Sequence, residues 1–94
     1  MSFTSTKALS VYNAIIYQRF VPKVTPQHIL LFLREHWDLG YRVEDVTEGL
    51  QYLFKNGFIR EDQVGGLRAA YRKPDGQSLK LRRCNEDRDL ELQP

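Results

Sequence analysis

Cysteine is almost absent from this chain. Of 94 residues only Cys84 carries a thiol, so no disulfide can close within it and the fold must rest on packing. Long apolar runs are missing as well. None approaches the roughly 18 residues of a membrane-spanning helix, and the opening MSFTSTKALS lacks the basic-then-apolar layout of a secretory leader. These absences make a reducing cytoplasm the expected compartment, with no membrane partner. Repeats, low-complexity tracts and internal linkers are also lacking, and a chain of this length holds one modest core.

Signatures of chemistry are equally scarce. His28 and His36 stand eight residues apart on one predicted helix, about 12 Å along its axis, too far to share an ion. Gly65-Gly66 is too short for a phosphate-binding loop and reads as the entry to a strand. No nucleophile stands beside a readable base. The expectation is no metal, no cofactor and no enzymatic activity, with Trp37 serving as an anchor of the core or of an interface.

What the sequence does carry is periodicity. In TSTKALSVYNAIIYQRF, Leu9, Tyr12, Ile16 and Phe20 recur at helical spacing, with Ala8 and Ile15 widening the stripe. Val21-Pro22 ends that helix, since proline disfavours helical geometry in the residue before it. VTPQHILLFLREHWDLG opens on Thr25 as N-cap and Pro26 in the first turn, and Gly40 is the expected stop. The short PKVT before it suggests a single edge strand. VEDVTEGLQYLFKNGFI puts Val43, Val46, Leu50 and Leu53 on one side and ends at Asn56-Gly57. Gly49 inside this helix predicts close packing against a neighbour. Val11, Ile15 and Tyr17 give the first helix more apolar surface than one stripe needs, so a homodimer through residues 5–20 is a candidate, as is wider burial within the monomer.

Beyond Gly57 the period becomes alternating. FIRE reads as a short strand and DQVGG as a connection; then LRAAYRKPDGQSLKLRR folds over a turn at Lys73-Pro74-Asp75-Gly76. With Tyr71 opposite Leu79, Leu67, Ala69, Tyr71, Leu79 and Leu81 share one face. Arg68, Ala70, Arg72, Ser78, Lys80 and Arg82 share the other, and Arg68 lies across from Arg82, a destabilising pairing of like charges. Residues 63–83 carry six basic groups and one acid, while 44–62 and 84–94 are net acidic, so an overall charge of +2 conceals one basic segment. That segment suits either a solvated edge protected by its charges or a polyanion such as a phosphate chain. Residues 85–94 are expected to form an acidic, flexible tail.

Three helices followed by a basic hairpin, with Val46, Leu50, Leu53, Gly57, Phe58 and Ile59 in the pattern V…L..L…GFI, resemble the winged helix-turn-helix superfamily. VTPQHILLFL is similar to the start of its preceding helix. The likeness spans roughly residues 5–83 and implies an α+β winged-helix domain over 1–84: a three-helix bundle with a β-hairpin wing at 66–83 and a short third strand. It implies binding to double-stranded DNA by a transcriptional regulator of bacterial or phage type, often a homodimer. Helix 44–56 would enter the major groove, offering Arg42, Thr47, Gln51 and Lys55, and the wing would offer Arg68, Arg72, Lys73, Lys80, Arg82 and Arg83. Glu44, Asp45 and Glu48 depart from that pattern, because a groove-reading helix approaches phosphates with neutral or positive residues. They favour an alternative in which the acidic face of helix 44–56 meets a protein partner and no DNA is bound. RNA binding by the wing is a weaker third reading.

Overall fold

The computed structural model describes residues 3–83 and 90–93. Three helices come first, α1 (Phe3–Tyr17), α2 (Pro26–Trp37) and α3 (Val43–Lys55). Four short strands follow, β1 (Ile59–Glu61), β2 (Leu67–Ala69), β3 (Lys80–Arg83) and β4 (Leu90–Gln93). They form two antiparallel pairs, β1–β2 and β3–β4. The class is α+β. No helix among the described residues is long and apolar enough to cross a membrane.

α1 is the centre of the packing, because α2, α3, β2 and β3 all lean on it. Its buried face is accordingly wide: Ala8, Val11, Tyr12, Ala14 and Ile15 are all withdrawn from solvent. Val11 and Ile15 therefore serve this chain's own core, while Tyr17, the third residue of the apolar surplus, stays 64% exposed. The helix stops at Tyr17, short of the expected Phe20. Gln18 donates its N–H to the Ala14 carbonyl, the chain turns, and Phe20 is left in solvent with the Arg19 guanidinium 4.6 Å from its ring centre.

α2 begins as its sequence requires. The Thr25 hydroxyl accepts the His28 N–H at 3.2 Å, and His28 Nδ1 accepts the Thr25 N–H at 3.3 Å. Ile29 and Leu33 face the core. The stop comes earlier than Gly40: Asp38 takes the left-handed conformation and Leu39 donates its N–H to the Leu33 carbonyl.

α3 lacks a capping side chain at Arg42, and the cap comes from within the helix. The Asp45 carboxylate accepts the Arg42 N–H at 2.8 Å. Val46, Gly49, Leu50 and Leu53 are buried. At Gly49 α1 and α3 approach as closely as the sequence suggested. A Cβ there would stand 2.9 Å from a Val11 methyl and 3.1 Å from the Lys7 carbonyl oxygen.

The strands depart from the expected hairpin. β2 pairs with β1, in the register Ile59–Ala69, Arg60–Arg68 and Glu61–Leu67. The segment before α2 touches the free edge of β2 through one bond, the Leu67 N–H to the Val24 carbonyl at 2.9 Å, so the edge strand read in PKVT is reduced to a single rung. Gly66 permits that approach, since a Cβ there would meet Val24 N at 2.8 Å and Lys23 Cα at 2.9 Å. The turn at 73–76 forms as read: Lys73 N–H donates to Gln77 O, Arg72 bridges Ser78, and Leu79 N–H donates to Tyr71 O. The register holds only at the tip. Beyond it β2 already has β1 as partner, and β3 turns to β4, with Arg82 opposite Glu91 and Leu81 opposite Leu92. The continuous hairpin at 66–83 is thus replaced by two pairs of strands joined by a tight turn.

β4 also corrects the flexible tail expected over 85–94. Leu90 is buried and Leu92 partly so, giving Leu90–Gln93 an apolar side to set against the core, while the Leu90 N–H donates to the Tyr52 hydroxyl at 3.0 Å. The rest of that predicted tail, residues 85–89 and 94, lies outside the described residues, as does Cys84.

Candidate nucleic-acid interface

The strand geometry decides first what becomes of the basic hairpin. Arg68 is turned inward, its side chain only 11% exposed. Its Nη2 donates to the Val21 carbonyl at 2.5 Å and the Pro22 carbonyl at 3.0 Å, and its Nε lies 3.4 Å from Asp62. This guanidinium ties the segment before α2 to the sheet and is not available to a phosphate. Arg82 does face outward, but Glu91 across the ladder pairs with it at 2.5 Å. The like-charge opposition expected between Arg68 and Arg82 therefore does not occur. Arg68 opposes Arg60 instead, and Asp62 sits within 3.4 Å of both. Arg83 ends β3, with its side chain outside the described part. Of the six wing cations, Arg72, Lys73 and Lys80 remain, around the turn, with no ion pair among the described residues.

α3 shows the reverse. Two of the three acids that stood against a groove-reading helix point sideways onto α1. Lys7 Nζ lies 2.8 Å from Asp45 and 3.4 Å from Glu48, and the Thr4 hydroxyl donates to Glu48 at 2.9 Å. The hydrogen bond to Asp45 raises the Lys7 pKa, while the Arg42 N–H and then Lys7 hold the Asp45 carboxyl below its ordinary value. Each partner stabilises the charged form of the other, so Lys7 offsets one of the two negative charges. Glu44 stays exposed, and the Glu48 side chain keeps 42% of its surface in solvent.

With Asp45 and Glu48 drawn toward Lys7, the solvent side of α3 presents Glu44, Thr47, Gln51 and Lys55, all exposed, and Arg42 at its start. The Thr47 hydroxyl donates to the Val43 carbonyl at 2.9 Å and keeps its lone pairs for a ligand. The same side also exposes two apolar residues: Phe54 (46%), which the periodicity had not singled out, and Val43 (62%), which it had set with Val46, Leu50 and Leu53 and which the first turn of α3 instead leaves in solvent. Tyr71 connects this helix to the turn: a Cβ on Gly57 would lie 3.9 Å from its hydroxyl. The segment that carries Arg72 and Lys73 thus departs from the C-terminal end of α3, where Lys55 stands.

These cations therefore divide in two. Arg68, Arg82 and Lys7 hold the fold; Arg42, Lys55, Arg72, Lys73 and Lys80 are free for an anion. Sequence alternation set Arg68 on the outward face with Arg72, Lys80 and Arg82, and gave no sign that the segment before α2 would cover it. Among the described residues no three of His, Cys, Asp and Glu stand close enough to hold a metal ion. No family model matches the chain, and neither a curated protein nor a solved structure does.

Proposed function

We propose that the chain is a winged-helix protein that binds double-stranded DNA, a regulator of bacterial or phage type, docking through α3 and the turn that follows β2. One observation carries this reading: Asp45 and Glu48 pair with Lys7, and Thr47, Gln51 and Lys55 stand exposed on the α3 face, with Glu44 beside them. Glutamine suits the bidentate pattern of adenine in the major groove, and Lys55 with Arg72 and Lys73 suits the flanking phosphates. Further support comes from the order of three helices followed by an antiparallel pair, β1–β2, with the segment before α2 at its edge. In this arrangement the wing is β1–β2. Its loop is short and holds no unpaired cation, so the affinity expected of the wing passes to α3 and the 72–80 turn.

The test is binding to duplex DNA over a range of salt. Each phosphate contact contributes about −0.9 to the log–log slope, so Lys55→Ala with Arg72→Ala should flatten it by about 2. Gln51→Ala should reduce discrimination between sequences and leave the slope unchanged. Absence of binding at low salt overturns the proposal. It would favour a second reading, a protein partner on α3, for which the exposed Val43 and Phe54 speak. Of the acidic face first suggested for that role, Asp45 and Glu48 pair with Lys7 and Glu44 stays exposed.

A further inference from the structure

Away from α3, a cleft of about 580 Å³ opens between the end of α1, the end of α2 and the β3–β4 pair. That volume falls within the ~300–1,000 Å³ typical of small-ligand sites. Its walls come from four elements, yet their side chains are complementary in kind. Asn13 and Tyr17 stand four apart on α1 and so share a face. Lys80 and Gln93 are direct cross-strand partners, which puts both on one side of the β3–β4 ladder. Arg19 lies just beyond α1, and Trp37 closes α2.

Trp37 is held in place by neighbours. Phe32 meets it edge-on at 5.1 Å and Tyr17 edge-on at 5.5 Å, while Tyr17 remains 64% exposed. An aromatic surface left open at the mouth of a cleft is a stacking platform. Two cations, Arg19 and Lys80, share the cleft with it, and no acid lines it among the described residues. The neutral polar groups are the Ser78 hydroxyl and the amides of Asn13, Gln77 and Gln93, which offer both donor and acceptor, the complement of a base edge.

We propose that this cleft binds a nucleoside phosphate, with the base against Tyr17 and Trp37, its edge read by Asn13 and Gln93, and the phosphate held between Arg19 and Lys80. A purely apolar ligand would leave two cations and the amides unmatched. A bare phosphate would leave the aromatic surface unused. The site is separate from α3 and stands whether or not the chain binds duplex DNA.

Trp37 is the only tryptophan, so its fluorescence reports the cleft directly. Titration of the full chain with 5′-nucleoside monophosphates should give a saturable change, with free nucleoside and inorganic phosphate each binding more weakly. Arg19→Ala and Lys80→Ala should each raise Kd about tenfold, the loss of one charge-assisted contact. Both side chains are solvent-exposed, and circular dichroism should show each variant folded. Lys55→Ala should leave nucleotide binding unchanged while weakening duplex DNA, which separates the two proposals. The inference is overturned if no nucleotide gives a saturable response at millimolar concentration, or if both cation variants titrate as the parent does. It is also overturned if an aryl carboxylate binds as tightly as the nucleotides.

Discussion

In β1–β2 an arginine of one strand faces an arginine of the other, Arg60 across from Arg68, whereas in β3–β4 Arg82 faces Glu91. The first arrangement is unfavourable on its face and the second favourable. Yet the first is the more deeply built into the fold. Arg68 is 11% exposed and holds two main-chain carbonyls as well as Asp62, while Arg82 is 59% exposed and holds one carboxylate. Cross-strand charge pairing is thus a poor guide to what an arginine contributes. Burial and the number of acceptors it satisfies weigh more, because a partner removed from a buried group leaves desolvated carbonyls behind, and water replaces an exposed one.

The sharpest way to break that comparison is to truncate both arginines. Arg68→Ala should cost about 3 kcal/mol in denaturant unfolding, since it strands the Val21 and Pro22 carbonyls and the Asp62 carboxylate at once. A smaller effect is expected from Asp62→Asn, and it should depend on pH. The Gln63 N–H, followed by Arg60, holds the Asp62 carboxyl below its ordinary 3.8. The folded chain therefore binds that proton less readily than the unfolded one, and the stabilisation is present above pH 3.8 and lost as pH falls through the lower folded value. Acid titration of the parent and the variant should converge at low pH and separate near neutrality. The least effect belongs to Arg82→Ala, about 0.5 kcal/mol and reduced by salt. Equal costs at positions 68 and 82 would show that burial does not set the difference.

Much of the fold was legible in the sequence because it depends on neighbours along the chain. Thr25 and Pro26 start α2, Gly49 marks the contact with α1, and Pro74 and Gly76 shape a turn whose register, Arg72 with Ser78, came out as read. What failed was the choice of partner. Leu67–Ala69 alternates equally well against residues 59–61 or 80–83, and a two-residue period carries no record of which strand lies alongside. The nearer strand took the pairing through a short loop, and β3 found β4 in a segment whose acids disguised Leu90 and Leu92. The candidate site was legible to a lesser degree. Gln51 and Lys55 were readable from the helical period as positions opposite Val46, Leu50 and Leu53. The withdrawal of Asp45 and Glu48 was not, since it depends on Lys7, a residue some forty positions away.

Tyr12 carries its own consequence. Its ring is buried at the middle of α1, its hydroxyl donates to the Leu79 carbonyl, and burial pushes its pKa up to about 12. A growing chain emerging from the ribosome therefore makes α1 long before the oxygen that Tyr12 requires has been synthesised. Until residue 79 is out, that phenol has water as its partner, so the final closure of the core waits for the strand region to be made and gives chaperones a defined interval in which to act.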